Sequence, residues 1–165
     1  CMNDIGIVGA LVFLLAHSLA KAGMFLCIGI IEKQTHTKDI RELGGMARVM
    51  PATALAFLIC SLTIIGFPPS AGFIGKLMIV MGTLQAGAYL YAGLAVIGAV
   101  ITIAYILRLY NAVFLGPIKN WKNLREGTPG MVMIVILFAT LSLLAGLFAS
   151  PLLNTANLIF TQIAW

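Results

Sequence analysis

Apolar residues run along this chain in stretches long enough to cross a bilayer, set apart by short polar segments. A spanning helix needs about 20 mostly apolar residues. The run 5–31 qualifies, interrupted by His17, Ser18 and Lys21. A polar stretch follows over 32–48, in which Asp39 stands three residues before Glu42, a spacing that suits a capped helical turn. The chain is apolar again over 51–86, but Gly66, Phe67, Pro68, Pro69 and Ser70 break it. A third run covers 88–115 and a fourth 131–149, joined by a polar segment at 116–130. The tail, 151–165, is apolar but short and is expected at the membrane interface. The pattern predicts an all-α integral membrane bundle, one transmembrane domain over 1–165.

Charge decides how often 51–86 crosses. One basic loop carries Lys33, Lys38, Arg41 and Arg48; the other carries Lys119, Lys122 and Arg125. A single crossing puts both loops on one side, as the positive-inside tendency requires, whereas two crossings would split them. Four spans are therefore expected, the second discontinuous at 66–70, because neither proline can donate a backbone hydrogen bond. A straight helix over 51–86 would be about 50 Å long, well beyond a hydrocarbon core of roughly 30 Å. The expected topology places loops 32–50 and 116–130 in the cytoplasm, and the N-terminus, the segment 87–93 and the tail outside. Tyr89 and Tyr91 fit an outer aromatic belt, Trp121 an inner one, and Arg108 a snorkelling position near the cytoplasmic end of the third span.

Composition agrees with this placement. Hydrophobic residues make up 61% of the 165 residues and charged residues 9%, and the mean hydropathy is +1.07, whereas a soluble domain carries about 25% charged residues. A net charge of +5 is common in nucleic-acid binders, but here the basic residues are spread through loops between apolar runs, so lipid is the expected partner and nucleic acid is not. Cys1, Cys27 and Cys60 have no metal-ligand spacing, and Cys27 and Cys60 lie in apolar helices where a lone cysteine acts as a small hydrophobe. No Walker loop, dinucleotide fingerprint, zinc spacing or iron–sulfur cysteine cluster appears, so neither cofactor nor metal is expected. The opening Cys-Met-Asn-Asp passes straight into an apolar helix, as expected of a cut within a longer protein.

Three ionisable residues fall inside the spans: His17, Lys21 and Lys76. A charge at the centre of a spanning helix costs about 2.5–3.5 kcal/mol on insertion scales, so such residues usually face a bundle interior or a water path. His17 and Lys21 are four apart and share a helical face. Lys76 follows the break made by Gly66, Pro68 and Pro69, where freed carbonyls can receive a proton carrier. Lysine suits proton relay because burial and a nearby carboxylate push its affinity for a proton in opposite directions, and histidine titrates near physiological pH. The plainer readings are a break-site cation for Lys76, snorkelling for Lys21 and an interhelical hydrogen bond for His17. The acidic residues all lie in loops or at the N-terminus, so carboxylate partners for the lysines must come from elsewhere. A solute-binding secondary transporter and a non-conducting scaffold are the alternative functions.

The fragments His17-Ser-Leu-Ala-Lys21-Ala-Gly-Met-Phe, Thr37-Lys-Asp-Ile-Arg-Glu-Leu-Gly-Gly45, Met50-Pro51, Ile65-Gly-Phe-Pro-Pro69, Gly72-Phe-Ile-Gly-Lys76 and Tyr105-Ile-Leu-Arg108 occur in this order. Together they resemble the proton-conducting antiporter-like subunits shared by respiratory complex I, Mrp-type antiporters and membrane-bound hydrogenases. The resemblance implies a fold of two inverted repeats, each with one discontinuous helix, of which this chain would hold the last four helices. By resemblance, Lys76 corresponds to the lysine after the break, and His17 and Lys21 to polar positions of the preceding helix. It further implies a C-terminal portion of a larger subunit, whose N-terminal part supplies the carboxylates. That subunit would sit in a prokaryotic cytoplasmic membrane with other membrane subunits. It would have no active site of its own and would move protons, or exchange Na⁺ for H⁺, within a redox-driven pump or an antiporter.

Overall fold

The computed structural model describes residues 3–117 and 124–163. Cys1, Lys119, Trp121 and Lys122 lie outside the described residues, as does the inner aromatic belt expected at Trp121. The regular elements of the described residues are all helices, in the order α1 (Asp4–Thr35), α2 (Met46–Val49), α3 (Pro51–Ile65), α4 (Ala71–Gln85), α5 (Tyr89–Tyr110) continued by a π-helical turn (Asn111–Leu115), α6 (Pro129–Leu147) and α7 (Ala149–Ile163).

The long helix α1 organises the rest. Asn3 starts it: its side-chain oxygen accepts from Gly6 N at 3.0 Å, while its amide nitrogen donates to Gly82 O at 2.9 Å at the far end of α4. Gly6, Gly9 and Phe13 of α1 then meet Gly82, Met78 and Gly75 of α4, and Gly23 and Met24 meet Cys60 and Ser61 of α3. The two short helices thus run antiparallel to α1, α4 along its first half and α3 along its second. At 15 residues apiece, each is only about 22 Å long. Among the described residues, three helices are long and apolar enough to cross a bilayer alone: α1, the Tyr89–Leu115 unit, and α6.

Glycine and the prolines separate α3 from α4. Gly66 ends α3 with φ 82°, a left-handed conformation that favours glycine. Its N–H reaches Leu62 O at 3.0 Å, and Phe67 N–H reaches the same carbonyl at 2.9 Å. Ser70 restarts the chain as N-cap of α4, its hydroxyl accepting from Phe73 N at 3.3 Å. The turn is covered by α6, whose Gly146 lies against Pro69 and Ser70 backbone. Small residues of α6, at Ala139, Ser142 and Gly146, form the buried stripe that allows this approach.

A buried hydroxyl pair ties α6 to α3 just before the break: Ser142 Oγ donates to Thr63 Oγ1 at 2.8 Å. Polar bonds between membrane helices are worth about 0.6 kcal/mol on average and up to about 1.7. Ser142→Ala is expected to lower the thermal midpoint of the purified protein by a few degrees at most, without loss of assembly. A collapse of assembly would mean that the pair carries more than one hydrogen bond's worth of packing.

Two segments differ from the sequence-based expectation. The stretch 32–50 is polar in composition, yet Leu43, Met46 and Met50 are buried in the main core, with Met46 and Met50 at 0% exposure. Helix α1 also runs to Thr35, four residues past the expected 31, and ends on His36, an exposed residue with φ 55°. The tail forms the amphipathic helix α7, whose Leu152, Leu153, Ala156 and Phe160 pack on Val8, Leu11, Val12 and Met78. In the loop, Asp39 does cap a single turn, accepting from Arg41 N at 2.9 Å, and its carboxylate grips the Arg41 guanidinium and raises that group's affinity for its proton.

Candidate functional site

The break leaves the last carbonyls of α3 without helical partners. Leu62 and Thr63 are served by the N–H groups of Gly66 and Phe67. Ile64 O and Ile65 O are served by Lys76, whose Nζ donates to them at 2.8 and 3.1 Å. Lys76 reaches back because it stands in the second turn of α4, overlapped with the end of α3. That overlap is tight: a Cβ on Gly72 would run into the Thr63 carbonyl. An ammonium at a helix C-terminus is also favoured by the macrodipole.

A cavity of about 640 Å³ opens beside this junction, walled by α1, α4 and α5 and almost entirely apolar. Its lining includes Lys76 from α4 and His17 from α1, together with the hydroxyl-bearing Thr102 and Tyr105 of α5. The Phe13 ring lies against both Lys76 and His17, with its centroid 5.7 Å from Lys76 Nζ and 5.3 Å from the His17 ring. His17 is half-buried, and its Nδ1 is buried with no hydrogen-bond partner among the described residues. A buried imidazole nitrogen is ordinarily satisfied by protein or by water, and the cavity has room for several water molecules at roughly 30 Å³ each.

Lys21 is placed differently. It is half-buried on α1, one turn from His17, but it does not line this cavity, and its Nζ lies over the Phe25 ring at 5.9 Å. The helical spacing puts His17 and Lys21 on neighbouring turns of α1, and the tertiary fold adds Lys76 to the cavity that His17 lines. Cys27 and Cys60 are free and fully buried in the core beside Gly23, as small hydrophobes. Arg108 is exposed in the last turn of α5, and Tyr89 and Tyr91 are exposed at its start.

One functional-looking residue had no signal in the sequence. Glu126, in the segment between the Tyr89–Leu115 unit and α6, reaches the N-terminus of α3, where its Oε1 accepts from Ala52 N at 2.8 Å and Thr53 N at 3.4 Å. Glutamate in a polar loop between Arg125 and Gly127 looks like any solvated charge. Only the return of that loop against α3 distinguishes it.

Three comparisons bear on this arrangement. The family model described as NADH:quinone oxidoreductase/Mrp antiporter, transmembrane, matches residues 1–102. The chain is 32% identical over 158 residues to NADH-quinone oxidoreductase subunit M of Rickettsia prowazekii, covering 94% of this chain and 32% of that protein. It is 34% identical over 113 residues to subunit N of Desulforudis audaxviator, covering 68% of this chain and 23% of that one. The chain thus spans about a third of the length of the subunit M relative. Its fold superposes with TM-score 0.86 and 22% identity on a chain in the Mrp complex of Dietzia sp. DQ12-45-1b, over 94% of this chain and 37% of the other.

Proposed function

Given that the chain belongs to the NADH:quinone oxidoreductase/Mrp antiporter transmembrane family, we propose that it forms the proton-relaying, C-terminal portion of an antiporter-like subunit. His17 and Lys76 exchange protons through the cavity beside the broken helix, and Lys21 continues the path along α1. The observation that carries this reading is the convergence of His17 and Lys76, from two helices, on one largely apolar cavity. Two ionisable groups are costly in such surroundings unless they are used or paired. Phe13 lies against both groups, and His17 Nδ1 has no hydrogen-bond partner among the described residues, so in this reading the relay runs through water in the cavity.

In this reading the chain crosses the membrane four times, with α3 and α4 together making one crossing alongside α1. The loops 32–50 and 116–130 then share the cytoplasmic side. The carboxylates that load and unload the lysines come from the N-terminal part of the subunit, and further membrane subunits supply the driving reaction. Whether Na⁺ travels as well is decided by those partners.

The test is proton pumping by the assembled complex in sealed vesicles, followed with a pH-sensitive dye. His17→Asn and Lys21→Gln are each expected to cut the pumping rate about tenfold or more, within the 10²–10⁴-fold ceiling of a positioned proton-transfer group. Assembly should be unchanged. Wild-type pumping in both variants would remove the relay and favour a scaffold role, and uptake of a small solute through the cavity would favour the secondary transporter.

A further inference from the structure

Helix α3 is closed at both ends by charged side chains from elsewhere in the chain. At its N-terminus Pro51 has no N–H, and the next two donors, Ala52 and Thr53, go to Glu126 Oε1. The Thr53 hydroxyl lies 3.5 Å from the other carboxylate oxygen. At its C-terminus Lys76 holds the Ile64 and Ile65 carbonyls. A carboxylate on the positive end and an ammonium on the negative end both favour the helix dipole. Between them stands one uninterrupted helix about 22 Å long, and a helix of that length moves as a rod.

We propose that Glu126 is a positioning residue for Lys76, acting through α3 as a rigid element. The carbonyls that dock Lys76 stand where α3 stands along its axis, and Glu126 pins the other end of that axis. The 124–128 segment is itself seated, with Gly127 against Ile30 of α1, so Glu126 anchors α3 to the longest helix of the bundle. When Lys76 leaves its carbonyls to pass a proton, the Glu126 clamp keeps α3 in place for its return. The inference rests on the relay reading of Lys76.

The variants are Glu126→Gln and Glu126→Asp in the assembled complex. Glutamine keeps an acceptor oxygen but gives up the charge, and charge-assisted hydrogen bonds are about twice as strong as neutral ones. Two readouts are taken together: proton pumping in vesicles, and hydrogen–deuterium exchange of backbone amides. Glu126→Gln is expected to slow pumping about tenfold and to speed exchange both at 51–56 and at the distant break, 64–70. Glu126→Asp, which keeps the charge, is expected to restore both. Faster exchange confined to 51–56 would make Glu126 a local helix cap only, and the proposal would fall. Exchange that spreads to the break with pumping intact would overturn it equally. Should Lys76→Arg pump normally in the same vesicles, it is the relay reading that fails, whatever Glu126→Gln does to exchange.

Discussion

Lys76→Arg is expected to leave the bundle assembled and to abolish proton pumping, while Lys76→Leu loses both stability and pumping. The two substitutions separate what Lys76 holds from what it carries. Leucine removes the donor for Ile64 O and Ile65 O, which Lys76 serves at 2.8 and 3.1 Å. Each acceptor left without a partner away from water costs about 1–3 kcal/mol, and the lost charge at the end of α3 adds a further fraction of a kcal/mol or more. Arginine can still donate to both carbonyls. It cannot release a proton in a protein, because its guanidinium stays charged at any working pH. A thermal melt of the purified complex reads the first role and dye-monitored pumping reads the second. Wild-type pumping by Lys76→Arg would reduce Lys76 to a helix-capping cation.

The gap between α3 and α4 was legible because glycine and proline act locally. Gly66 needs a left-handed backbone, the two prolines lack donors, and Ser70 is a strong N-cap, so the stop and restart fall at 65 and 71 without reference to the rest of the chain. The long helices were legible for a similar reason, their apolar length. What was not legible depends on contacts between distant segments. Met46 and Met50 look like part of a polar loop and are instead core residues, because the loop folds back under α3 and the π-helical turn. Helical spacing set His17 beside Lys21 on α1, but its sharing a cavity with Lys76 was not legible, because which face of α1 meets α4 is set by where glycines allow contact. That register brings His17 to Lys76. Glu126 is separated from its partners Ala52 and Thr53 by more than seventy residues, and no local pattern encodes that return.

That glycine register also yields the second large effect: Gly75→Leu is expected to prevent stable assembly, whereas Gly93→Ala is expected to change almost nothing. Added at Gly75, a Cβ would stand 2.7–2.8 Å from the backbone N and Cα of Phe13. At Gly82 it would stand 2.6 Å from the N and Cα of Gly6, and at Gly9 2.5 Å from the Met78 Cβ. These sites define a seam along which α1 and α4 touch backbone to backbone, the close approach that small residues permit in membranes. Overpacking a core usually costs about 1–3 kcal/mol because side chains can shift aside. Here the obstructing atoms at position 75 are backbone atoms of a long helix, so α4 itself must move away. The whole seam from 75 to 82 would open, and the stacking of Lys76 on Phe13 beside His17 would open with it. Gly93 has nothing within 4 Å of its added Cβ, and alanine there gains about 0.5–1 kcal/mol of helix propensity. Size-exclusion profiles and thermal midpoints of the two variants make the comparison. Gly75→Leu assembling with a wild-type midpoint would mean that α1 and α4 are not held at this distance.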